Sequence, residues 1–264
     1  MAAPSRASHT SGDQQQTGIY VYGIFPADIE VTAEQRGVGD PPGTLQVIRG
    51  GDLAALVSEV GLARPLGSPE DLRTHQDLLD SSAADMPVLP MRFGAVLASE
   101  DAVADELLRD HQDEFAQALS ELEGLTEYVV RGRYVEQAIL DEVLSENRQA
   151  ARLREQIRNT DADATRDARI QLGEIISDAI TAKREEDTRV LGERMADHCV
   201  ASVVREATHE RDAVNVAFLL DASQEKDLER VTEDLAKAWA GRVEVRLLGP
   251  MAAYDFVRTT APGG

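Results

Sequence analysis

The sequence predicts an α+β protein of two domains, and three observations carry that expectation. Short β-branched and aromatic runs are bounded by glycine and proline, as strands are. Between them lie stretches in which apolar residues recur at helical spacing behind N-cap residues. From Val135 the pattern changes to long helical periods with few turn signals, before strands return near Ala213. With 42% hydrophobic residues over 264 positions, two modest cores can be filled.

Met1 to Thr17 is rich in Ser, Gln, Gly and Pro and has no apolar run, so residues 1–17 read as a disordered tail rather than a signal peptide. Gly18 to Ile24 is a β-branched and aromatic run between glycines and reads as a buried strand. Thr44 to Arg49 and Leu53 to Val60 flank Gly50-Gly51-Asp52, which permits positive φ, so a hairpin follows. Ser68-Pro69-Glu70-Asp71 supplies an N-cap, a first-turn proline and acids that suit the helix dipole, predicting a helix to about Ala84. Met86 to Gly94 holds two prolines among apolar residues and can only be an edge strand or extended segment. Ser99-Glu100-Asp101 opens a second amphipathic helix through Val103, Leu107, Phe115 and Leu119, with Gly124 as its stop. Thr126 to Arg131 is then a strand, and helices packed on one sheet make the first domain, residues 18–134.

Beyond it, Val135, Ile139 and Val143, then Leu153 and Ile157, then Leu172, Ile176 and Ile180 keep helical periods on either side of a polar break at Asn159 to Asp163. Mixed Glu and Arg from Lys183 to Arg194 resemble the solvated side of a helical hairpin or short coiled coil. The helix is expected to run on until Arg211-Asp212 breaks it. Ala213 to Leu220 is a strand, Ser223 to Ala240 a capped helix, and Arg242 to Leu248 an alternating strand, closing a second domain of residues 135–258. Residues 259–264 read as a flexible tail.

The net charge is 27 minus 48, or −21, which repels nucleic acid and anionic lipid. From Pro69 to Glu127 there are fifteen Asp and Glu against three Arg, either a solvated face or a docking face for a basic partner. No run of apolar residues is long enough to span a bilayer, and the single cysteine, Cys199, excludes an internal disulfide, so a cytoplasmic setting fits.

No catalytic, cofactor or metal set emerges. His198 and Cys199 are adjacent and point too far apart on a helix to share a metal, and Gly37-Val38-Gly39 lacks the residues of a phosphate loop. Carboxylate pairs are plentiful, but chance supplies them in so acidic a chain. Arg92, set between apolar residues in Leu89-Pro90-Met91-Arg92-Phe93-Gly94, either locks a proline-bounded strand to a helix or makes contact at an interface. Tyr20 and Tyr22 share one strand face and suit core packing.

Tyr20-Val21-Tyr22-Gly23-Ile24, Leu53 to Val60, His75, Pro87 to Gly94, Asn215 to Asp221, and Leu248-Gly249-Pro250 followed by Tyr254-Asp255-Phe256-Val257 together resemble the GvpF/GvpL family of gas vesicle proteins. The resemblance covers nearly all of Gly18 to Val257. One departure is Met251-Ala252-Ala253, where the family often has Trp-Pro-Pro. The resemblance implies an N-terminal domain of ferredoxin-like α+β type and a C-terminal α+β domain bearing a helical hairpin. It also implies no enzymatic activity, and an accessory or minor structural role in gas vesicle assembly through binding the main shell protein and other gas vesicle accessory proteins. Met91, Arg92, Phe93, Tyr254 and Phe256 become the protein-contact candidates. A cytosolic small-molecule-binding or regulatory protein on the same scaffold is the alternative.

Overall fold

The computed structural model describes residues 16–31, 35–158, 160–161 and 163–257. The expected tails lie outside the described residues, apart from Gln16 and Thr17. Thr17 already pairs with Gly61 as the first residue of a strand. The chain divides into two compact units. One takes in residues up to Leu79 and Leu89–Leu119, and the other Asp80–Val88 and Ser120 onward.

The first unit is built on strands β1 (Thr17–Pro26), β2 (Leu45–Gly50) and β3 (Leu53–Gly61), followed by helix α1 (Pro69–Ala83) and the two-residue strands β4 (Leu89–Pro90) and β5 (Val96–Leu97). The sheet order is β2-β3-β1-β4, with β5 also on β1 and every pairing antiparallel. β1 is central because both its faces are apolar: Tyr20 to Ile24 and Phe25 are buried without interruption. The β2–β3 turn uses Gly51 at φ +65°, as the Gly-Gly-Asp signal requires. The proline-rich segment pairs over only two residues at Leu89–Pro90, since Pro87 and Pro90 have no N–H to donate. The amphipathic stretch after Ser99 is one helical path in three pieces: α2 (Glu100–Ala102), a π-helical stretch Val103–Arg109, and α3 (Gln112–Glu121). Ser99 caps it by accepting from the Ala102 amide, and Val103, Leu107 and Leu108 are fully buried.

The second unit comprises β6 (Leu125–Tyr134), α4 (Glu136–Glu146), α5 (Arg148–Arg158), α6 (Arg166–Met195), β7 (Ala201–Val204), β8 (Asp212–Asp221), α7 (Glu225–Ala238) and β9 (Val243–Met251). Its sheet order is β7-β8-β6-β9, all antiparallel. Helices cover one face, where Tyr128, Val130, Val216 and Phe218 pack on Leu191 and Met195 of α6 and on Leu228, Val231 and Leu235 of α7.

Three expectations are revised by this topology. The sequence pattern places the strand at Thr126–Arg131 in the first domain, but β6 lies at the centre of the second sheet between β8 and β9. A change of periodicity at Val135 marks a new element, whereas sheet membership is decided by pairing partners far along the chain. The strand-helix-strand-strand-helix-strand order expected of a ferredoxin-like domain belongs to this second unit, with α4–α6 as its first crossover. The first unit instead places three strands before its first helix. Finally, α6 stops at Met195 rather than near Arg211, because the β-branched pair Val203-Val204 joins the sheet edge as β7.

Candidate interaction surfaces

Behind the Met91–Gly94 segment, the first unit holds a buried polar and aromatic cluster. Asp71 helps to fix α1: Ser68 Oγ accepts from the Asp71 amide, while the Asp71 carboxylate accepts from the amides of Gly39, Gly67 and Ser68. Burial opposes its charge, but these donors outweigh that and hold its carboxyl below the ordinary value. One turn further, α1 presents His75, 4% exposed, to β1.

The Met91 carbonyl, 3.1 Å from His75 Nε2, can only accept, so Nε2 carries the proton. Nδ1 of the neutral ring then accepts from the Tyr20 hydroxyl at 2.9 Å, and that hydroxyl accepts from the Gly94 amide at 3.2 Å. A directed relay therefore runs Gly94 to Tyr20 to His75 to Met91. Burial lowers the His75 pKa to about 4, with the Met91 carbonyl opposing, so the ring is neutral at physiological pH. Phe93 meets both Tyr20 and His75 edge-on, with centroids 5.9 and 5.6 Å away. Next to them the Tyr22 hydroxyl accepts from the Val38 amide at 2.7 Å and pairs with Ser58 Oγ at 2.8 Å.

This cluster decides what the contact candidates can offer. Met91 is 6% exposed, its amide donates to Tyr22 O, and its carbonyl serves His75, so it is a packing residue. Phe93 is half-buried on the aromatic cluster. Arg92, between them, is exposed and its side chain makes no hydrogen bond or ion pair among the described residues. The reading in which Arg92 locks the strand to a helix therefore loses its basis.

Tyr254 and Phe256 are half-buried. The residue between them, Asp255, fastens their segment: Arg205 Nε donates to Asp255 Oδ2 at 2.5 Å and Arg205 Nη2 to Glu127 Oε1 at 2.8 Å, while the Asp255 amide donates to Glu127 Oε2 at 3.0 Å. Burial pushes the fully buried Glu127 up from the usual carboxylate range; the Asp255 amide and Arg205 pull the other way, and the Asp255 carboxylate adds to the rise. Sequence reasoning missed this clasp because Glu127 and Arg205 stand 78 positions apart. The one available signal was an acid directly before the apolar run Tyr128-Val129-Val130.

The helical part of the second unit is rooted by a second network. Tyr134 at the end of β6 donates to Asp187 of α6 at 2.6 Å, and Arg242 donates to both Asp187 and Glu142 while lying 5.3 Å over the Tyr134 ring. Lys183 bridges Glu142 and Glu146 at 2.6 and 2.7 Å. The buried side chains of the 30-residue α6 are Asp187, Leu191 and Met195, all toward this root. Toward its start Leu172, Ile175 and Ile176 are half-buried and Ile170 is 53% exposed.

Among the described residues no cluster of three His, Cys, Asp or Glu is placed to hold a metal, and no helix is long and apolar enough to cross a membrane. Cys199 lies in the turn after α6, half-buried against the second core, and burial raises its pKa. An open depression of about 890 Å³ in the first unit is lined by Arg36 and Arg64 together with Asp40, Glu70 and Asp71, a mixed rather than converging set.

The family model described as gas vesicle synthesis protein GvpL/GvpF matches residues 18–258. Gas vesicle protein F of Streptomyces sp. (strain CB03234) is 29% identical over 247 residues, covering 90% of this chain and 98% of the relative. That of Dolichospermum flosaquae is 24% identical over 242 residues, covering 91% and 97%. Among solved structures, the crystal structure of gas vesicle protein GvpF from Anabaena sp. PCC7120 superposes with a TM-score of 0.72 at 21% identity, covering 91% of this chain and 98% of that one. The one from Microcystis aeruginosa gives 0.72 at 20% identity, covering 90% and 98%. The matched region takes in both units, and no enzymatic activity goes with it: the chain belongs to the GvpL/GvpF family of gas vesicle proteins.

Proposed function

We propose that the chain is a cytoplasmic assembly factor that binds the main gas vesicle shell protein and other gas vesicle accessory proteins and seats the shell protein during vesicle formation. The observation that carries this reading is the outer part of α6, where Ile170, Leu172, Ile175 and Ile176 form an apolar run that the fold leaves exposed or half-covered. Apolar surface of this kind on a strongly charged body suits transient cover for a subunit that aggregates when left bare. Arg92 with Phe93, and Tyr254 with Phe256, supply secondary contacts in the same reading.

Co-expression with the main shell protein tests it. The wild-type chain is expected to co-purify with the shell protein. Ile170→Lys should abolish co-purification while keeping the melting temperature, and Arg92→Ala should weaken it. Retained co-purification by both folded variants would count against these surfaces. The small-molecule alternative would instead use the depression beside Arg36 and Arg64 and would show as a ligand-dependent rise in melting temperature.

A further inference from the structure

Across the second sheet, Arg131 of β6 and Arg246 of β9 are directly opposed and so share one face. Like charges set opposite each other in this way are destabilising. Their surroundings do not relieve the repulsion. Arg131 reaches only the Thr208 hydroxyl, at 3.3 Å, and Arg246 is exposed with no hydrogen bond or ion pair from its side chain among the described residues. By contrast Arg133, on the same face, is compensated by Glu244 opposite and by Asp212 Oδ1 at 3.5 Å. The other Asp212 oxygen is already occupied by the amides of Thr208 and His209. Arg131 and Arg246 therefore face each other across the strand pair with no ion pair of their own among the described residues, in a chain that carries a net charge of −21.

Two further features belong to this row. Asn215, paired with Arg131 from the β8 side, is 8% exposed, and its Oδ1 has no hydrogen-bond partner among the described residues. Leu248, two positions along β9 from Arg246 and so on the same face, is 39% exposed. Arg131, Arg133, Arg246 and Leu248 line a shallow cavity of about 250 Å³ together with Asp212 and Glu244, the two acids lying opposite Arg133 rather than opposite Arg131 or Arg246.

We propose that this face binds an acidic segment of a partner polypeptide, with a side-chain carboxylate held between Arg131 and Arg246 and a neighbouring apolar side chain against Leu248. Paired guanidiniums match the geometry of a carboxylate, and charge-assisted bonds there would relieve the like-charge opposition. Exposed Leu248 beside the arginines favours a polypeptide, which carries an apolar side chain next to its carboxylate, over a free oxyanion. Nucleic acid and anionic membranes fit less well, because the remaining charge of the molecule repels an extended polyanion. The inference stands on this row alone and does not depend on the proposed contacts with the shell protein.

The test uses the full chain and a fluorescein-labelled peptide of alternating leucine and glutamate, read by fluorescence anisotropy beside a peptide in which glutamine replaces glutamate. Saturable binding of the acidic peptide is expected, with no binding of the control. Arg246→Gln should weaken binding about tenfold while leaving the melting temperature unchanged or higher, since it removes a repulsion. Arg131→Gln should weaken it similarly, and its melting temperature shows whether it remains folded. Unchanged binding by folded Arg246→Gln would overturn the proposal, as would a fall in that variant's stability, which would make the arginine structural. Displacement of the peptide by inorganic phosphate at equal concentration would reduce the face to a simple anion site and overturn the polypeptide assignment. A concentration-dependent dimer dissolved by Arg246→Gln would place a second copy of this chain there instead.

Discussion

Tyr134 donates a 2.6 Å hydrogen bond to Asp187, so that a strand end and a long helix are joined through a buried carboxylate that Arg242 also holds, at 2.9 Å. Removing the hydroxyl and removing the carboxylate have different consequences. Tyr134→Phe leaves Asp187 with its arginine and should cost about 1–2 kcal/mol. Asp187→Ala leaves both the Tyr134 hydroxyl and part of the Arg242 guanidinium without a partner and should cost about 3–5 kcal/mol. Urea denaturation of the two variants would check the order.

His75 gives the first unit an acid-sensitive element. Its folded pKa, lowered to about 4 from 6.5, means that its contribution to stability is complete above 6.5 and is lost as the pH falls through 4. A protonated ring could no longer accept from Tyr20 at Nδ1. The difference in unfolding free energy between wild type and His75→Gln should therefore shrink by up to about 3 kcal/mol between pH 7 and pH 4. A difference independent of pH would contradict the neutral relay.

Two glycines should respond to alanine in opposite directions. At Gly37 a Cβ would collide with the Tyr22 hydroxyl and come within 2.7 Å of Ser58 Oγ, so Gly37→Ala should lose about 1–3 kcal/mol. At Gly173, inside α6, a Cβ meets nothing within 4 Å, and Gly173→Ala should gain about 0.5–1 kcal/mol from helix propensity. Thermal melts of the pair decide the signs.

The clasp on the closing segment predicts protease sensitivity. Asp255→Ala should leave Arg205 on Glu127 and the fold intact, while the segment around Tyr254 and Phe256 is released. Chymotrypsin should then cut there faster than in wild type. Arg205→Ala, which removes the donor shared by Glu127 and Asp255, should lower global stability by about 1–3 kcal/mol, because the buried Glu127 takes up a proton rather than remain a stranded charge.

What the sequence made legible followed the range of the interactions involved. The Gly50-Gly51-Asp52 hairpin, the Ser68 cap and the Gly124 stop are local devices, and each appears where it was expected. β7 was not legible, because Ala201–Val204 is four residues long and gains its strand character from pairing with β8. β6 is legible as a strand but its sheet is not, since its partners begin 87 and 118 positions after Leu125, at Asp212 and Val243. Of the contact candidates, Met91 looked like surface in a proline-rich run. Only the positions of His75 and Tyr22 reveal that its backbone is fully engaged and its side chain enclosed.

The rooting of α6 has a mechanical consequence. From Asp187 back to Arg166 the helix extends for about 30 Å at 1.5 Å per residue, with its buried anchors toward one end. It has the proportions of a lever: a pivot of about 10° at the Tyr134–Arg242 knot, carrying α5 with it, would swing its far end by roughly 5 Å over that length. Small changes of side chain at the fulcrum can therefore re-aim Ile170 without touching it.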